Sequence, residues 1–328
     1  MLIMEIQNLM WVEKYRPLKL DGVVNQKSII DGITNLIAKP EEMPNFLFSG
    51  PAGVGKTTVA LCVAREILGD YWKDYTLELN ASDERGINMV RERVKMFARY
   101  STMASSKIPF KIVILDEADE MTDDAQTALR RIIEDSARST RFILICNYLS
   151  QIIEPIQSRC VIFRFTNMKE EDVVKHLEGI CKKEKVKYDA KALSLIHEAT
   201  EGDLRHAINA LQAAASMGTV NTANVNVSLG LSEKSRVGEI VKLAFGGKFQ
   251  EARTKLIELT KVYGMSERDF LRYANEEVQK LKTSSAEVIS ALAECDYRLV
   301  AGAHPDIQLT ALLAELGRIG KGIDLKEK

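Results

Sequence analysis

The sequence predicts an α/β fold, with a parallel sheet covered on both faces by helices and followed by two all-helical regions. Three observations carry this expectation. Over residues 1–165, five short apolar, β-rich runs alternate with helical patterns, as parallel strands and crossover helices require. A glycine-rich loop joins the first of these runs to an apolar helical stretch. From Lys169 the pattern becomes helical throughout.

The five runs are Phe46 to Phe48, Thr76 to Leu79, Ile112 to Leu115, Phe142 to Cys146 and Val161 to Phe165. In such a sheet the strand ends carry the chemistry. Helices are expected over Glu170 to Lys183, Ala190 to Glu198 and Leu204 to Met217, with Gly202 and Gly218 as breaks, which gives a small helical domain over 166–230. After the polar stretch Asn221 to Ser228, a helical bundle fills 231–328. It is broken at Gly246-Gly247, Gly264, Thr283-Ser284 and His304-Pro305, and Ser284 and Glu287 have capping-box spacing.

At 328 residues the chain can bury two or three cores. Its 45 basic and 46 acidic residues leave a net charge of −1, which argues neither for nor against nucleic acid. No apolar run is long enough to span a bilayer, and Met1-Leu2-Ile3-Met4-Glu5 lacks the form of a signal peptide, so a cytoplasmic protein is expected. The five cysteines are scattered without a C-x-x-C pair, which points to reduced, structural thiols rather than zinc.

The loop Gly50-Pro51-Ala52-Gly53-Val54-Gly55-Lys56-Thr57-Thr58 is the most specific motif. It stands between a strand and a helix, the context of a phosphate-binding P-loop. Glycines let backbone N–H groups approach phosphate oxygens, and the helix N-terminus behind them favours negative charge. Lys56 is placed to reach the β- and γ-phosphates of a nucleotide, and the Thr57 hydroxyl to face a magnesium ion.

The run Ile112 to Leu115 ends in Asp116-Glu117, as a Walker B element does. Asp116 would then serve the metal and Glu117 the water that attacks the γ-phosphate. Read on through Ala118 and Asp119, the letters spell DEAD, a weak helicase match without a second ATPase-type domain. The run Phe142 to Cys146 ends at Asn147, a neutral group suited to orienting water or sensing the γ-phosphate.

Two arginines extend the pattern. Arg159, in Ser158-Arg159-Cys160, precedes a strand and so lies away from its own P-loop, where it could complete a neighbouring subunit's site in trans. Arg205, in Gly202-Asp203-Leu204-Arg205, begins a helix of the second domain and could swing onto the nucleotide. Between Arg85 and Lys111, seven basic residues face the single acid Glu92, and Arg91, Lys95 and Arg99 recur at i, i+4 and i+8 on one helix face.

In this order the segments resemble the AAA+ ATPases, and more closely the small subunits of replication factor C, the sliding-clamp loader of archaea and eukaryotes. Trp11-Val12-Glu13-Lys14-Tyr15-Arg16-Pro17, Asn80-Ala81-Ser82-Asp83-Glu84-Arg85-Gly86 and Ile152 to Cys160 each match a box of that family. The resemblance is specific from Trp11 to about Gln212 and weak beyond. It implies ATP and Mg²⁺ as cofactors, with Val12, Tyr15, Arg16 and Pro17 against the adenine, and a collar built from the third domain. It also implies as partners a large clamp-loader subunit, other copies of the small subunit, a ring-shaped sliding clamp and primer-template DNA, with no membrane.

On the same resemblance Arg85, Arg91, Lys95 and Arg99 face DNA, and such phosphate contacts are independent of sequence. Gln151 departs from the family, which commonly carries a basic residue there. Asn80 or Arg85 could restrain Glu117 until DNA arrives. Two other readings compete: another AAA+ DNA remodeller, such as an initiator or branch-migration motor, and a nucleotide-locked scaffold without turnover. A winged-helix domain would favour the initiator, and loss of Glu117 and Arg159 would favour the scaffold; the sequence shows neither.

Overall fold

The structure, a computed structural model, describes residues 10–82, 87–99, 110–280 and 286–324. The chain divides into two compact units, Met1–Val225 and Asn226–Lys328. The first unit opens with α1 (Trp11–Lys14) and α2 (Lys27–Ile37), then β1 (Asn45–Ser49), α3 (Lys56–Leu68), α4 (Trp72–Tyr75) and β2 (Thr76–Asn80). Next come α5 (Ile87–Arg99), β3 (Lys111–Asp116), α6 (Asp123–Asp135), β4 (Thr140–Cys146), α7 (Glu154–Gln157) and β5 (Cys160–Arg164). Helices α8 (Glu170–Glu184), α9 (Ala190–Thr200) and α10 (Leu204–Ser216) follow, and α11 (Thr222–Ser228) runs across the boundary at Val225.

The five strands form one parallel sheet in the order β2-β3-β4-β1-β5. Side chains alternate between its faces, as the two-residue strand period demands. Phe46, Phe48, Ile112, Ile114, Ile143 and Ile145 pack on one side with α2 and α3. Leu47, Val113, Leu115, Phe142, Leu144 and Cys146 pack on the other, with Val94 of α5 and Leu129, Ile132 and Ile133 of α6. A sheet buried on both faces leaves its strand ends as the places where polar groups converge.

Each strand lies within two residues of its predicted run. Phe165 falls outside β5, but its N–H still donates to Ser49 O at 2.7 Å. Helix α11 occupies the stretch that read as polar linker. Asn221 caps it by accepting from Asn224 N at 2.9 Å, and Val225 is its buried anchor.

The second unit has its own core, in which Val241, Ala252, Phe270, Ala274, Val288 and Leu313 are fully or almost fully buried. It is built from α12 (Leu231–Phe245), α13 (Phe249–Lys261), α14 (Glu267–Lys280), α15 (Ala286–Val300) and α16 (Pro305–Asp324). The break at Gly246-Gly247 falls between α12 and α13, and at His304-Pro305 the proline is the first residue of α16. Thr283 and Ser284, with the capping box, lie outside the described residues. No described helix is long and apolar enough to cross a membrane.

Candidate nucleotide-binding site

The loop after β1 runs past the carboxyl end of the sheet into α3. Gly50 has φ +148°, and a Cβ there would stand 2.3 Å from Phe165 O. Gly53 has φ +70°, and its Cβ would stand 1.9 Å from Asp203 Oδ1, so α10 closes directly over the loop. Leu204 N donates to Gly53 O at 3.2 Å, and Asp203 caps α10 by accepting from His206 N at 2.9 Å.

Lys56 is only 7% exposed, so its ammonium needs partners. It donates to Gly50 O at 2.5 Å, Pro51 O at 2.7 Å and Asn147 Oδ1 at 2.9 Å. Burial pulls its pKa below the usual lysine value, and the charge of Asp116 works the other way. These three acceptors hold the lysine where an incoming phosphate would compete for its protons.

Thr57 Oγ1 donates to Asp116 Oδ2 at 2.6 Å, and Asp116 Oδ1 accepts from Glu117 N at 2.9 Å. Glu117 has φ +53° and ψ +40°. That left-handed conformation costs a non-glycine residue roughly 1–2 kcal/mol, and such strain gathers at working sites. A hydroxyl and a carboxylate in contact are a hard-oxygen pair of the kind Mg²⁺ takes beside substrate phosphates, so the donor set fits that ion.

One cavity gathers most of the predicted residues. Val12, Tyr15, Arg16, Pro17, Ala52, Gly53, Val54, Gly55, Lys56, Thr57, Thr58, Asp116, Glu117, Asn147 and Arg205 all line it. Gly50 and Pro51 do not; they stand behind it as acceptors for Lys56. Arg205 is exposed and has no carboxylate partner among the described residues. Sequence reasoning missed Val23, Val24, Met168, His176, Leu204 and Ile208, which line the same cavity. Only tertiary packing brings them there, and no spacing in the sequence marks them. Burial first, and then the charge of Lys183, hold His176 below the usual imidazole range.

The N-terminal box is tied to the helices after the sheet. Trp11 N donates to Gln212 Oε1 at 2.9 Å, and Glu184 Oε1 accepts from both Lys14 Nζ and Tyr15 Oη at 2.5 Å. Arg159 lies elsewhere. It precedes β5 at the amino end of an edge strand, whereas the cavity lies at the carboxyl ends. Its guanidinium pairs with Glu134 at 2.5 Å and donates to Pro155 O at 2.7 Å.

Arg85 lies outside the described residues, as do the side chains of Arg91 and Arg99 on α5. Lys95 is half-buried and lines a second cavity with Asp124, Arg131 and Asp135. Asn80 Oδ1 accepts from Ser82 N and Ser82 Oγ, each at 3.0 Å, so that oxygen serves its own turn.

The fold and this cavity define a P-loop nucleotide-binding ATPase, and the family comparison agrees. Residues 46–168 match the family model of the ATPase family associated with various cellular activities. Residues 175–216 match an RCF1/5-like AAA+ ATPase lid domain, and residues 233–315 match the replication factor C C-terminal domain. The replication factor C small subunit of Sulfurisphaera tokodaii is 48% identical over 96% of this chain and 97% of its own length. Its counterpart from Aeropyrum pernix is 45% identical over 98% and 99%. The chain belongs to the replication factor C small-subunit family. Among solved structures, the Thermotoga maritima RuvB Holliday junction branch migration motor matches with a TM-score of 0.55 at 14% identity, covering 79% of this chain and 84% of that one. That likeness concerns the fold alone.

Proposed function

We propose that this chain is an ATP-hydrolysing small subunit of a DNA sliding-clamp loader. The observation that carries this reading is the convergence of Lys56, Asp116, Glu117, Asn147 and Arg205 on one cavity, with Arg159 at the opposite strand ends. The loop from Gly50 to Thr58 cradles the phosphates of ATP, and Lys56 neutralises the β- and γ-phosphates. Val12, Tyr15, Arg16 and Pro17 border the adenine. Thr57 and Asp116 hold Mg²⁺, which when bound neutralises charge developing on the phosphates.

Glu117 takes a proton from the attacking water, and Asn147 orients that water against the γ-phosphate. Arg205 reports the nucleotide to the helices after the sheet. Arg159 completes the site of the next subunit and stabilises transition-state charge in trans.

In this reading residues 1–165 are the ATP-binding domain, 166–230 its lid and 231–328 the collar through which subunits assemble. The working assembly includes further copies of this chain and a large subunit. It opens a ring-shaped clamp and sets it on primer-template DNA, whose phosphates meet Arg85, Arg91, Lys95 and Arg99. The identity to replication factor C small subunits along almost the whole chain supports a clamp loader over a branch-migration motor.

The test is ATPase activity with and without a large subunit, clamp and primed DNA. The proposal requires that clamp and primed DNA together stimulate turnover beyond either alone. A rate indifferent to both would contradict it.

A further inference from the structure

Asp119 is the part of the Asp116-Glu117-Ala118-Asp119 run that the proposed reaction leaves unused. It sits in the single 3-10 turn Ala118–Glu120, directly after Glu117, and is 7% exposed. Its Oδ2 accepts from Asn147 N at 2.9 Å and from Tyr148 N at 3.0 Å. Its Oδ1 is buried and has no hydrogen-bond partner among the described residues.

The geometry explains why an acceptor is needed there. Strand β4 pairs with β1 up to Cys146, opposite Ser49, so the next two amides have left the ladder. Backbone N–H groups at such a position need an acceptor, and a carboxylate makes stronger bonds to them than a neutral oxygen does. Leaving a carboxylate oxygen buried and unpaired is unfavourable. The two amides account for Oδ2 and tie this aspartate to the segment that follows β4.

The contacts continue into the site. Asn147, held through its own N–H, offers Oδ1 to Lys56 Nζ at 2.9 Å. One chain of contacts thus runs from the turn carrying Glu117, through Asp119, to Asn147 and Lys56. The β3–β4 ladder ends with Leu115 opposite Leu144, and Asp119 ties the two segments together beyond that point.

We propose that Asp119 is a positioning residue for hydrolysis: it locks the Asn147 backbone to the turn that carries Glu117, so that the Asn147 and Glu117 side chains start from anchored positions and keep a fixed separation across the γ-phosphate. This rests on the reading of Asn147 and Glu117 given above. Asp119 itself touches no reacting atom.

The experiment is a double-mutant cycle in the assembled loader, measured with clamp and primed DNA, with ATP-analogue binding and thermal melting as controls. Asp119→Ala lowers kcat by about 10- to 100-fold while KM for ATP changes less than about threefold. Asp119→Asn keeps an oxygen facing both amides and recovers kcat to within about fivefold of wild type. On top of Asn147→Ala, the Asp119→Ala change has no further effect on kcat, because its influence passes through Asn147. If Asp119→Ala does not fold, Asp119→Ser, whose shorter side chain cannot reach both amides, replaces it in the cycle.

Wild-type kcat in the alanine or serine variant overturns the inference. So does an asparagine variant as slow as the alanine one, or an additive double mutant. Full activity of Asn147→Ala alone would instead sink the reading of Asn147 on which the inference rests, so the two failures are distinguishable.

Discussion

At the residue scale, the site is a set of charged and polar groups that partner one another. Lys56 is buried with three oxygen acceptors, and Thr57 is in contact with Asp116. Glu117 lies beside them in a strained backbone conformation. If Glu117 is the base, Glu117→Gln keeps its shape but removes its ability to take a proton. ATP binding should then stay within about threefold while turnover falls by roughly 10²–10⁴-fold. Normal turnover in that variant, measured by phosphate release, would remove Glu117 from this role. Most of these residues were legible because each is pinned to a motif of fixed spacing or to a strand end. Asp119 was not. It contacts backbone amides 28 and 29 residues further on, and no side-chain pattern marks that partnership.

At the element scale, α1 and α8 meet through Glu184. Burial opposes its ionisation, but hydrogen bonds from Lys14 and Tyr15 and the charge of Lys14 outweigh it, holding its pKa below the usual 4.5. The same contact pushes the Tyr15 hydroxyl upward, after burial as the larger cause. A carboxylate with a depressed folded-state pKa contributes stability above its unfolded value, and that contribution is lost as pH falls through the folded value.

Glu184→Gln should therefore destabilise the protein by about 1 kcal/mol at neutral pH, a figure scaled down because the pair is partly solvated. The gap in melting temperature from wild type should close on acidification below pH 4.5. A gap that persists unchanged in acid would show that the ion pair is not its source. The strands and most helices were legible from apolar runs and glycine breaks. The strand order was not, because β1 pairs with β4 and β5, more than 90 residues away, and nothing local encodes that choice. Helix α11 was hidden because its sequence is mostly polar and only Val225 anchors it.

At the scale of the whole molecule, each of the two units has its own core, and the candidate site belongs entirely to the first. The separation of Arg159 from that cavity was foreseeable once Ser158-Arg159-Cys160 was seen to precede a strand, since a parallel sheet sends strand starts and strand ends to opposite edges. The number of copies in an assembly was not legible, because one chain's sequence does not count its neighbours.

Hydrolysis in trans is the central claim, and a mixing experiment tests it most directly. Glu117→Gln and Arg159→Ala subunits are assembled separately and together, and ATP turnover is measured with clamp and primed DNA. Action in trans requires that each variant alone be nearly inactive. The mixture should recover turnover, because some interfaces then pair an intact Glu117 with an intact Arg159 from the neighbour. A mixture as inactive as its components, or an equal loss in isolated Arg159→Ala monomers, would contradict it.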